Sequence, residues 1–222
     1  MNGVGPIVKR AFDVIFSLMV LLILLPVMAV VVVTIRLTTG RPVFFRQHRP
    51  GFRMKPFVLY KFRTMREAYN ADGTPRPDAE RLTRVGRLLR HTSVDELPQL
   101  WNVLRGDLSL VGPRPLLIQY LPLYTPEQAR RHEVKPGITG WAQVNGRNAI
   151  GWEQKLDLDT WYVDHWTLGL DIKILAMTLI KVLNMEGISG KEEATMAPFT
   201  GTNKGEQCNR SGSSVQVVTP RS

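Results

Sequence analysis

The hydrophobic pattern of the chain begins with one long apolar stretch, Val14–Ile35, which contains no charged side chain. It is long enough to span a bilayer as a helix, which takes about 20 residues. Pro26, near its middle, removes a backbone hydrogen bond and is expected to bend the helix. Basic residues lie on both flanks, with Lys9 and Arg10 before the stretch and Arg36 after it. Because basic residues favour the cytoplasmic side, the pattern leaves open a single-pass helix and a re-entrant helix whose two ends face the cytoplasm.

Shorter strand and helix patterns follow this stretch. Val43–Phe45 and Phe57–Tyr60 are apolar runs separated by Pro and Gly turns, which predicts a β-hairpin. Helical periodicity covers Ala79–His91, Leu97–Leu104 and Leu170–Met185. We therefore expect an α+β fold that is mostly helical, with one short β-hairpin.

The pattern also divides the chain into three parts: a membrane helix at 1–40, a domain seated on the membrane at 41–190, and a tail at 191–222. The end of the tail is polar and rich in Ser, which is typical of disorder. Leu170–Met185 is apolar nearly all round, so it is either buried or lies as an interfacial helix. In the second case Trp161, Tyr162 and Trp166 would lie at the level of the lipid head groups.

The segment Ser93–Pro115, SVDELPQLWNVLRGDLSLVGPRP, concentrates the candidate chemistry. Ser93 and Glu96 have the spacing of a capping box, which would place Asp95 in the first turn of a helix. Gly106 is predicted to end that helix. The adjacent carboxylates of Asp95 and Glu96 are either a stabilising device at a helix start or a catalytic pair.

Cations suited to phosphate surround this segment in the sequence. The rigid turn Pro113-Arg114-Pro115 holds one arginine. Other candidate phosphate ligands are Lys61, Arg63, Arg90 and Arg147. Lys61 and Arg63 alternate along a predicted strand, so their side chains would lie on one face. That face either binds phosphate or is an ordinary solvated basic face. Arg147 ends the Gly-rich run KPGITGWAQVNGR, which suits an anion or is simply a structured loop around Trp141.

The net charge of +10 indicates an anionic partner: a phosphorylated substrate, anionic lipid or nucleic acid. The sequence has no helix-turn-helix, zinc-finger or aromatic RNA-binding pattern, so we expect no nucleic-acid partner. Cys208 is the one cysteine, which excludes an internal disulfide and a multi-cysteine metal site.

Four motifs carry a resemblance to a known family: YKFRTM (Tyr60–Met65), the segment Ser93–Pro115, KPGITGWAQVNGR (Lys135–Arg147) and LDTWYV (Leu158–Val163). The sequence resembles the bacterial sugar transferases, the monotopic phosphoglycosyl transferases, and is most similar to their small PglC-type members. Its ATMAPFTG segment, Ala194–Gly201, resembles those members that use di-N-acetylated amino sugars.

The resemblance implies transfer of a sugar-1-phosphate from a UDP-sugar, here an N-acetylated amino sugar, to polyprenyl (undecaprenyl) phosphate, with release of UMP. It implies that Asp95 is the nucleophile and forms an aspartyl-phosphosugar intermediate, that Glu96 is its catalytic partner, and that Mg²⁺ binds at Asp95. The implied substrate-binding residues are Lys61, Arg63, Arg90, Pro113, Arg114, Arg147 and Asp159.

The resemblance further implies a re-entrant helix broken at Pro26, with the catalytic domain on the cytoplasmic face of the bacterial inner membrane. The expected partners are the UDP-sugar, polyprenyl phosphate, membrane lipids and downstream glycosyltransferases. Two alternatives remain at this point. One is the same chemistry with a UDP-hexose, and the other is a non-enzymatic basic scaffold on the membrane.

Overall fold

The computed structural model of the chain describes residues 4–146, 150–184 and 198–202. Arg147 and most of the predicted tail at 191–222 lie outside the described residues.

Short helices dominate the described chain, and its strands form two small sheets. The helices are α1 (Val4–Thr38), α2 (Asp78–Arg81), α3 (Arg84–His91), α4 (Gln99–Arg105), α5 (Pro126–Ala129), α6 (Trp141–Asn145), α7 (Trp152–His165) and α8 (Leu168–Leu183). The strands are β1 (Phe44–Pro50), β2 (Pro56–Phe62), β3 (Ser109–Val111) and β4 (Gly137–Thr139). Single 3₁₀ turns occupy Phe52–Met54, Val94–Glu96, Ile118–Leu123 and Arg130–Glu133.

Helix α1 is assigned as one α-helix through Pro26, and it is the helix of the described residues that is long and apolar enough to cross a membrane. One of its faces packs on the domain along its length. Phe16 and Val20 contact the main core, and Val31 and Ile35 pack with a second core cluster. The other face is apolar and exposed. This division is expected for a helix held between a protein surface and lipid.

The first turns of α1 are fixed to the domain by polar contacts. Lys9 donates to the carbonyl oxygen of Val111 and pairs with the buried carboxylate of Asp171. Arg10 donates to the last carbonyl oxygens of α4, and Asp13 accepts the backbone N–H of Leu110. The basic residues before the apolar stretch therefore bind the domain, in addition to forming a basic flank next to the apolar helix.

The predicted hairpin is present, and the strands are longer than predicted. β1 and β2 pair antiparallel from Phe44 opposite Phe62 to Pro50 opposite Pro56. A second, parallel pair joins β3 to β4. Sequence analysis did not predict this pair. It depends on close backbone contact, since a Cβ on Gly137 would lie 2.1 Å from the backbone nitrogen of Gly112.

Three local predictions need correction. The predicted helix Ala79–His91 is interrupted, because Thr83 caps a new helix by accepting the N–H of Gly86. Ser93 has φ 56° and caps nothing, so the capping box is wrong. Tyr162 is not at the membrane interface. Its ring is buried and its hydroxyl donates to Asp171.

The coarse prediction of a mostly helical fold with a small sheet is confirmed, and α1 is a candidate membrane-associated helix. Helix α8 agrees with the predicted interfacial helix in part. It buries Asp171 and Ile174 but exposes Ile172, Leu179, Ile180 and Leu183.

Candidate active site

The two adjacent carboxylates lie on the 3₁₀ turn Val94–Glu96, between α3 and α4. The left-handed conformation of Ser93 ends α3 and turns the chain sharply. The turn packs against β2, and α4 begins at Gln99. As predicted, Gly106 ends α4, with φ 89°.

Glu96 is held by two cations. Lys61 Nζ lies 2.7 Å from Glu96 Oε1, and Arg114 Nη2 lies 2.5 Å from the same oxygen. Burial alone would raise the pKa of Glu96, but the charges and hydrogen bonds of Arg114 and Lys61 hold that pKa well below its usual range. Glu96 is therefore ionised and committed to orienting Lys61 and Arg114.

Asp95 has the opposite environment, although it is the next residue. It is 8% exposed, and no hydrogen-bond donor among the described residues reaches its carboxylate. Burial, followed by the charge of Glu96, raises the pKa of Asp95 to about 6, against the opposing effect of Lys61, Arg114 and Arg90. An unpaired carboxylate that is ionised near neutral pH and surrounded by cations is suited to attack phosphorus.

The turn Pro113-Arg114-Pro115 is anchored through three successive carbonyl oxygens. That of Pro113 accepts the N–H of Gly137 at 3.0 Å. Those of Arg114 and Pro115 accept guanidinium N–H groups of Arg131 and Arg49, at 2.6 and 3.2 Å. Both prolines are buried. Arg114 is thus directed at Glu96 by a backbone with little freedom.

Asp159, predicted to bind substrate, lies behind this turn. Its carboxylate pairs with Arg131 at 2.7 Å, and both side chains are almost fully buried. Arg131 also donates to the hydroxyl of Tyr124. Burial raises the pKa of Asp159 to about 6, although Arg131 and Lys155 oppose that effect. These contacts make Asp159 a support for Arg131 and so for Arg114.

The other predicted substrate-binding residues are placed differently. Arg90 donates to Thr64 Oγ1 at 3.1 Å and lies near enough to Asp95 to lower its pKa. Arg63 does not join Lys61. Its guanidinium bonds the carbonyl oxygens of Met65 and Arg41 and pairs with Glu67. The prediction that both cations share one face at the site is therefore wrong for Arg63.

Three cations at or behind the site were not predicted from the sequence: Arg49, Lys155 and Arg131. Burial, then the charge of Arg114, lowers the pKa of Arg49 to about 10. Lys155 lies close enough to Asp159 and Arg114 for their charges to act on its pKa. Arg131 is buried despite its place in the basic run Arg130-Arg131-His132. Each comes from an element distant in sequence, and no local pattern distinguishes it from a surface arginine or lysine.

A cavity of about 180 Å³ opens beside Glu96. Glu96 and Arg114 lie on its wall, and most of the remaining wall is apolar. Helices α1, α4, α6 and α8 all contribute to it. The cavity therefore has a charged end, at Glu96 and Arg114, and an apolar extension toward α1.

The carboxylates of the site can be matched to the ligands that Mg²⁺ requires. Among the described residues, no three His, Cys, Asp or Glu side chains gather at one point. Mg²⁺ is commonly bound by one or two carboxylates together with substrate phosphates. The carboxylate of Asp95 makes no hydrogen bond or ion pair among the described residues, so it fits that arrangement.

Comparisons with known proteins show the family of the chain. The family model described as bacterial sugar transferase matches residues 4–185. An uncharacterized sugar transferase, EpsL, of Bacillus subtilis (strain 168) is 58% identical over 196 residues, covering 88% of this chain and 97% of that protein.

Two further relatives have names that state an activity. A UDP-glucose:undecaprenyl-phosphate glucose-1-phosphate transferase of Escherichia coli (strain K12) is 38% identical over 191 residues, covering 82% of this chain. An undecaprenyl-phosphate galactose phosphotransferase of Salmonella typhimurium is 40% identical over 197 residues, covering 81% of this chain. The match spans 41% of each of these longer proteins.

The names of these relatives confirm the predicted enzyme class, a phosphoglycosyl transferase, and give no support to a non-enzymatic scaffold. The family model covers the membrane helix and the site together. The chain therefore belongs to the bacterial sugar transferase family.

Proposed function

We propose that this protein transfers a sugar-1-phosphate from a UDP-sugar to undecaprenyl phosphate in two steps, through an aspartyl-phosphosugar intermediate. The observation that carries the proposal is the contrast within the carboxylate pair. Glu96 is bound by two cations, whereas Asp95 is buried, unpaired among the described residues and close to three cations.

In the first step the Asp95 carboxylate attacks the β-phosphorus of the UDP-sugar. A bond forms between that phosphorus and a carboxylate oxygen, and the bond from phosphorus to the oxygen that bridges the two phosphates breaks. UMP leaves with the bridging oxygen and its electron pair. The acyl phosphate that remains on Asp95 is itself reactive, as a covalent intermediate must be.

In the second step a phosphate oxygen of undecaprenyl phosphate attacks the same phosphorus. The bond to Asp95 breaks, the carboxylate is restored, and the sugar leaves as an undecaprenyl diphosphate. Because UMP has left, a water-soluble donor and a membrane-bound acceptor use one site in turn.

The cations oppose the repulsion between the carboxylate and the diphosphate. Lys61 and Arg114, oriented by Glu96, would stabilise charge on the transferring phosphoryl group, and Arg90 would contribute from α3. Glu96 is a poor general base, because its pKa lies far below neutral pH. Mg²⁺ held by Asp95 and donor oxygens would supply further charge neutralisation.

Two donor classes remain, and each has its own support. The ATMAPFTG motif favours an N-acetylated amino sugar. Phe199 of this motif is buried against Tyr120, Tyr124 and Trp152, which attaches the segment to the catalytic domain. The relatives whose names include glucose or galactose favour a UDP-hexose. Release of UMP from a panel of UDP-sugars, with undecaprenyl phosphate and Mg²⁺, will separate the two.

For the membrane arrangement we propose a re-entrant helix with both ends on the cytoplasmic face of the inner membrane. Lys9 and Arg10 bind the domain at one end of α1, and Val31 and Ile35 pack on it at the other. Basic residues on both flanks agree with this arrangement. A spanning helix would carry one of these ends away from the domain.

The mechanism is tested by trapping the intermediate. Without acceptor, the wild type is expected to gain the mass of one phosphosugar on Asp95 and to release one equivalent of UMP. Asp95→Asn should form no adduct and lose turnover by roughly 10³-fold or more, while remaining folded and membrane-bound. An adduct on another residue, or transfer with no trappable adduct, would contradict the two-step mechanism.

A further inference from the structure

Residues 198–202 lie on the catalytic domain, although the match to the family model ends before them. That match covers residues 4–185, and helix α8 ends at Leu183. Phe199 is 4% exposed, whereas its neighbours Pro198 and Thr200 are exposed. The segment is thus attached through one deeply buried ring. A buried attachment beyond the part that the family model covers is a candidate for a role particular to this chain.

The ring of Phe199 completes an aromatic cluster. Its centroid lies 5.7 Å from that of Tyr120, 5.8 Å from that of Tyr124 and 5.4 Å from that of Trp152, in edge-on or tilted arrangements. Leu156 of α7 is fully buried in the same cluster. Aromatic pairs at these distances and angles are favourable beyond the area that they bury. Phe199 therefore joins the 3₁₀ turn before α5 to helix α7.

A second attachment follows two residues later. The side-chain amide of Gln128 donates to the hydroxyl of Thr202 at 2.7 Å, while its side-chain oxygen accepts the N–H of Thr125 that caps α5. Gly201, between the two attachments, has φ 96°. Glycine adopts this left-handed conformation at little cost, and the turn lets both side chains reach the domain.

One residue of the aromatic cluster leads directly to the active site. The hydroxyl of Tyr124 accepts a guanidinium N–H of Arg131 at 3.0 Å, and the guanidinium carbon lies 5.7 Å from the centre of the Tyr124 ring. Arg131 in turn donates to the carbonyl oxygen of Arg114 at 2.6 Å. Phe199 thus packs on the side chain that supports the guanidinium behind Arg114.

Two further contacts connect the cluster to the same turn. Leu116 and Leu117, which directly follow the turn, pack against the cluster. Lys155 Nζ lies 4.9 Å from the centre of the Trp152 ring. Burial lowers the pKa of Lys155, and the charge of Arg114 adds to that effect, so the two cations are close. The cluster that Phe199 completes therefore supports Arg114 from several sides.

We propose that Phe199 is a positioning residue for the transfer reaction. Docking of residues 198–202 fixes the Pro113-Arg114-Pro115 turn from behind and so directs Arg114 at the transferring phosphoryl group. The inference rests on the proposed function and extends it, because it makes a segment beyond the family match part of the support of the site. Since Phe199 acts through Arg114, its loss should slow the chemical step more than it weakens donor binding.

Phe199→Ala tests this role, with Thr200→Ala as the matched control on an exposed neighbour. The rate constant for adduct formation from UDP-sugar without acceptor is measured per active site, and active sites are counted from the UMP released in the first turnover. We expect Phe199→Ala to lower this rate constant about tenfold and to change the donor KM little. Thr200→Ala should behave as the wild type.

Two other variants keep the test interpretable. Phe199→Leu retains most of the apolar volume and should recover most of the rate. Gly201→Ala places a side chain at φ 96° and should weaken docking while leaving the ring in the chain. It replaces Phe199→Ala if that variant does not fold, and a smaller loss of the same rate constant is expected.

Hydrogen exchange gives a readout that does not depend on turnover. The N–H of Gly137 donates to the carbonyl oxygen of Pro113, so its exchange reports how firmly the turn is held. Phe199→Ala should speed exchange at Gly137 and leave the amides of the β1–β2 hairpin unchanged. Unchanged exchange at Gly137 would overturn the proposal.

The kinetic outcomes separate the possible roles of the segment. Fewer active sites with an unchanged rate constant would mean that Phe199 only stabilises the fold, which overturns the proposal. A raised donor KM with an unchanged rate constant would mean that the segment contacts the UDP-sugar, which also overturns it. Absence of adduct and UMP in the wild type would instead refute the proposed function, and exchange at Gly137 would still show whether the segment holds the turn.

Discussion

At the scale of single residues, the site assigns different roles to two neighbouring carboxylates. Glu96 accepts hydrogen bonds from Lys61 and Arg114 and stays ionised. Asp95 is desolvated beside that negative charge, and its pKa rises to about 6. Environments that separate the pKa values of paired titratable groups commonly separate their roles as well.

This separation predicts the pH dependence of the first step. In the proposed mechanism Asp95 attacks only as an anion, so the rate of adduct formation should rise with pH and level off above about pH 6. Glu96→Gln removes the adjacent negative charge, which lowers the pKa of Asp95 and moves this rise to a lower pH. Rapid-quench measurement of the adduct across about pH 5 to 8 checks both profiles. An unshifted profile in Glu96→Gln would mean that the rise belongs to another group.

At the scale of elements, the Pro113-Arg114-Pro115 turn is held from behind by side chains from distant segments. Arg131 is central, because it bonds Asp159, Tyr124 and the carbonyl oxygen of Arg114. Its planar guanidinium reaches all three at once, which a lysine cannot do. We therefore propose that Arg131 acts on the reaction through Arg114, as a positioning residue.

Arg131→Lys is expected to slow adduct formation about tenfold or more and to change the donor KM little, because Arg114 stays present but is less well directed. The adjacent residue supplies the control. Arg130→Lys alters a partly exposed arginine that pairs with Glu127 and Asp164, and it should leave the rate unchanged. Equal effects of the two substitutions on rate and on thermal stability would show that Arg131 has no positioning role.

At the scale of the whole molecule, α1 is part of the domain as well as its membrane element. Its N-terminal turns are attached by ion pairs and hydrogen bonds, and its C-terminal turns by apolar packing against Phe62 and Leu89. The exposed face between these attachments is apolar and suited to lipid. Such a helix keeps the site close to the membrane, where the acceptor is found.

Helix topology can be read from the accessibility of single cysteines. With Cys208 replaced by Ser, a cysteine at Asn2 should react with a membrane-impermeant maleimide only after the cells are opened. The parent chain, whose one cysteine is Cys208, reports the side of the tail in the same experiment. Labelling of residue 2 in intact cells would show that α1 spans the membrane.

Local patterns determined much of the fold. The hairpin, the long apolar helix, the end of α4 at Gly106 and the extent of α8 all follow from periodicity and from turn residues near in sequence. The four motifs also identified the family, which the matching family model confirms. These features are local, since a few adjacent residues specify each of them.

Tertiary structure decided what depends on residues distant in sequence. Ser93 and Glu96 satisfy a capping-box pattern, yet Lys61 and Arg114 take the Glu96 carboxylate, because two ion pairs outcompete one hydrogen bond to the backbone. Tyr162, typical of an interface by composition, is buried, and its hydroxyl donates to the carboxylate of Asp171. The sequence by itself thus determined the local elements and the chemistry available. Only the fold decided which carboxylate is free to react, since a carboxylate's charge and reactivity depend on the partners that distant segments bring to it.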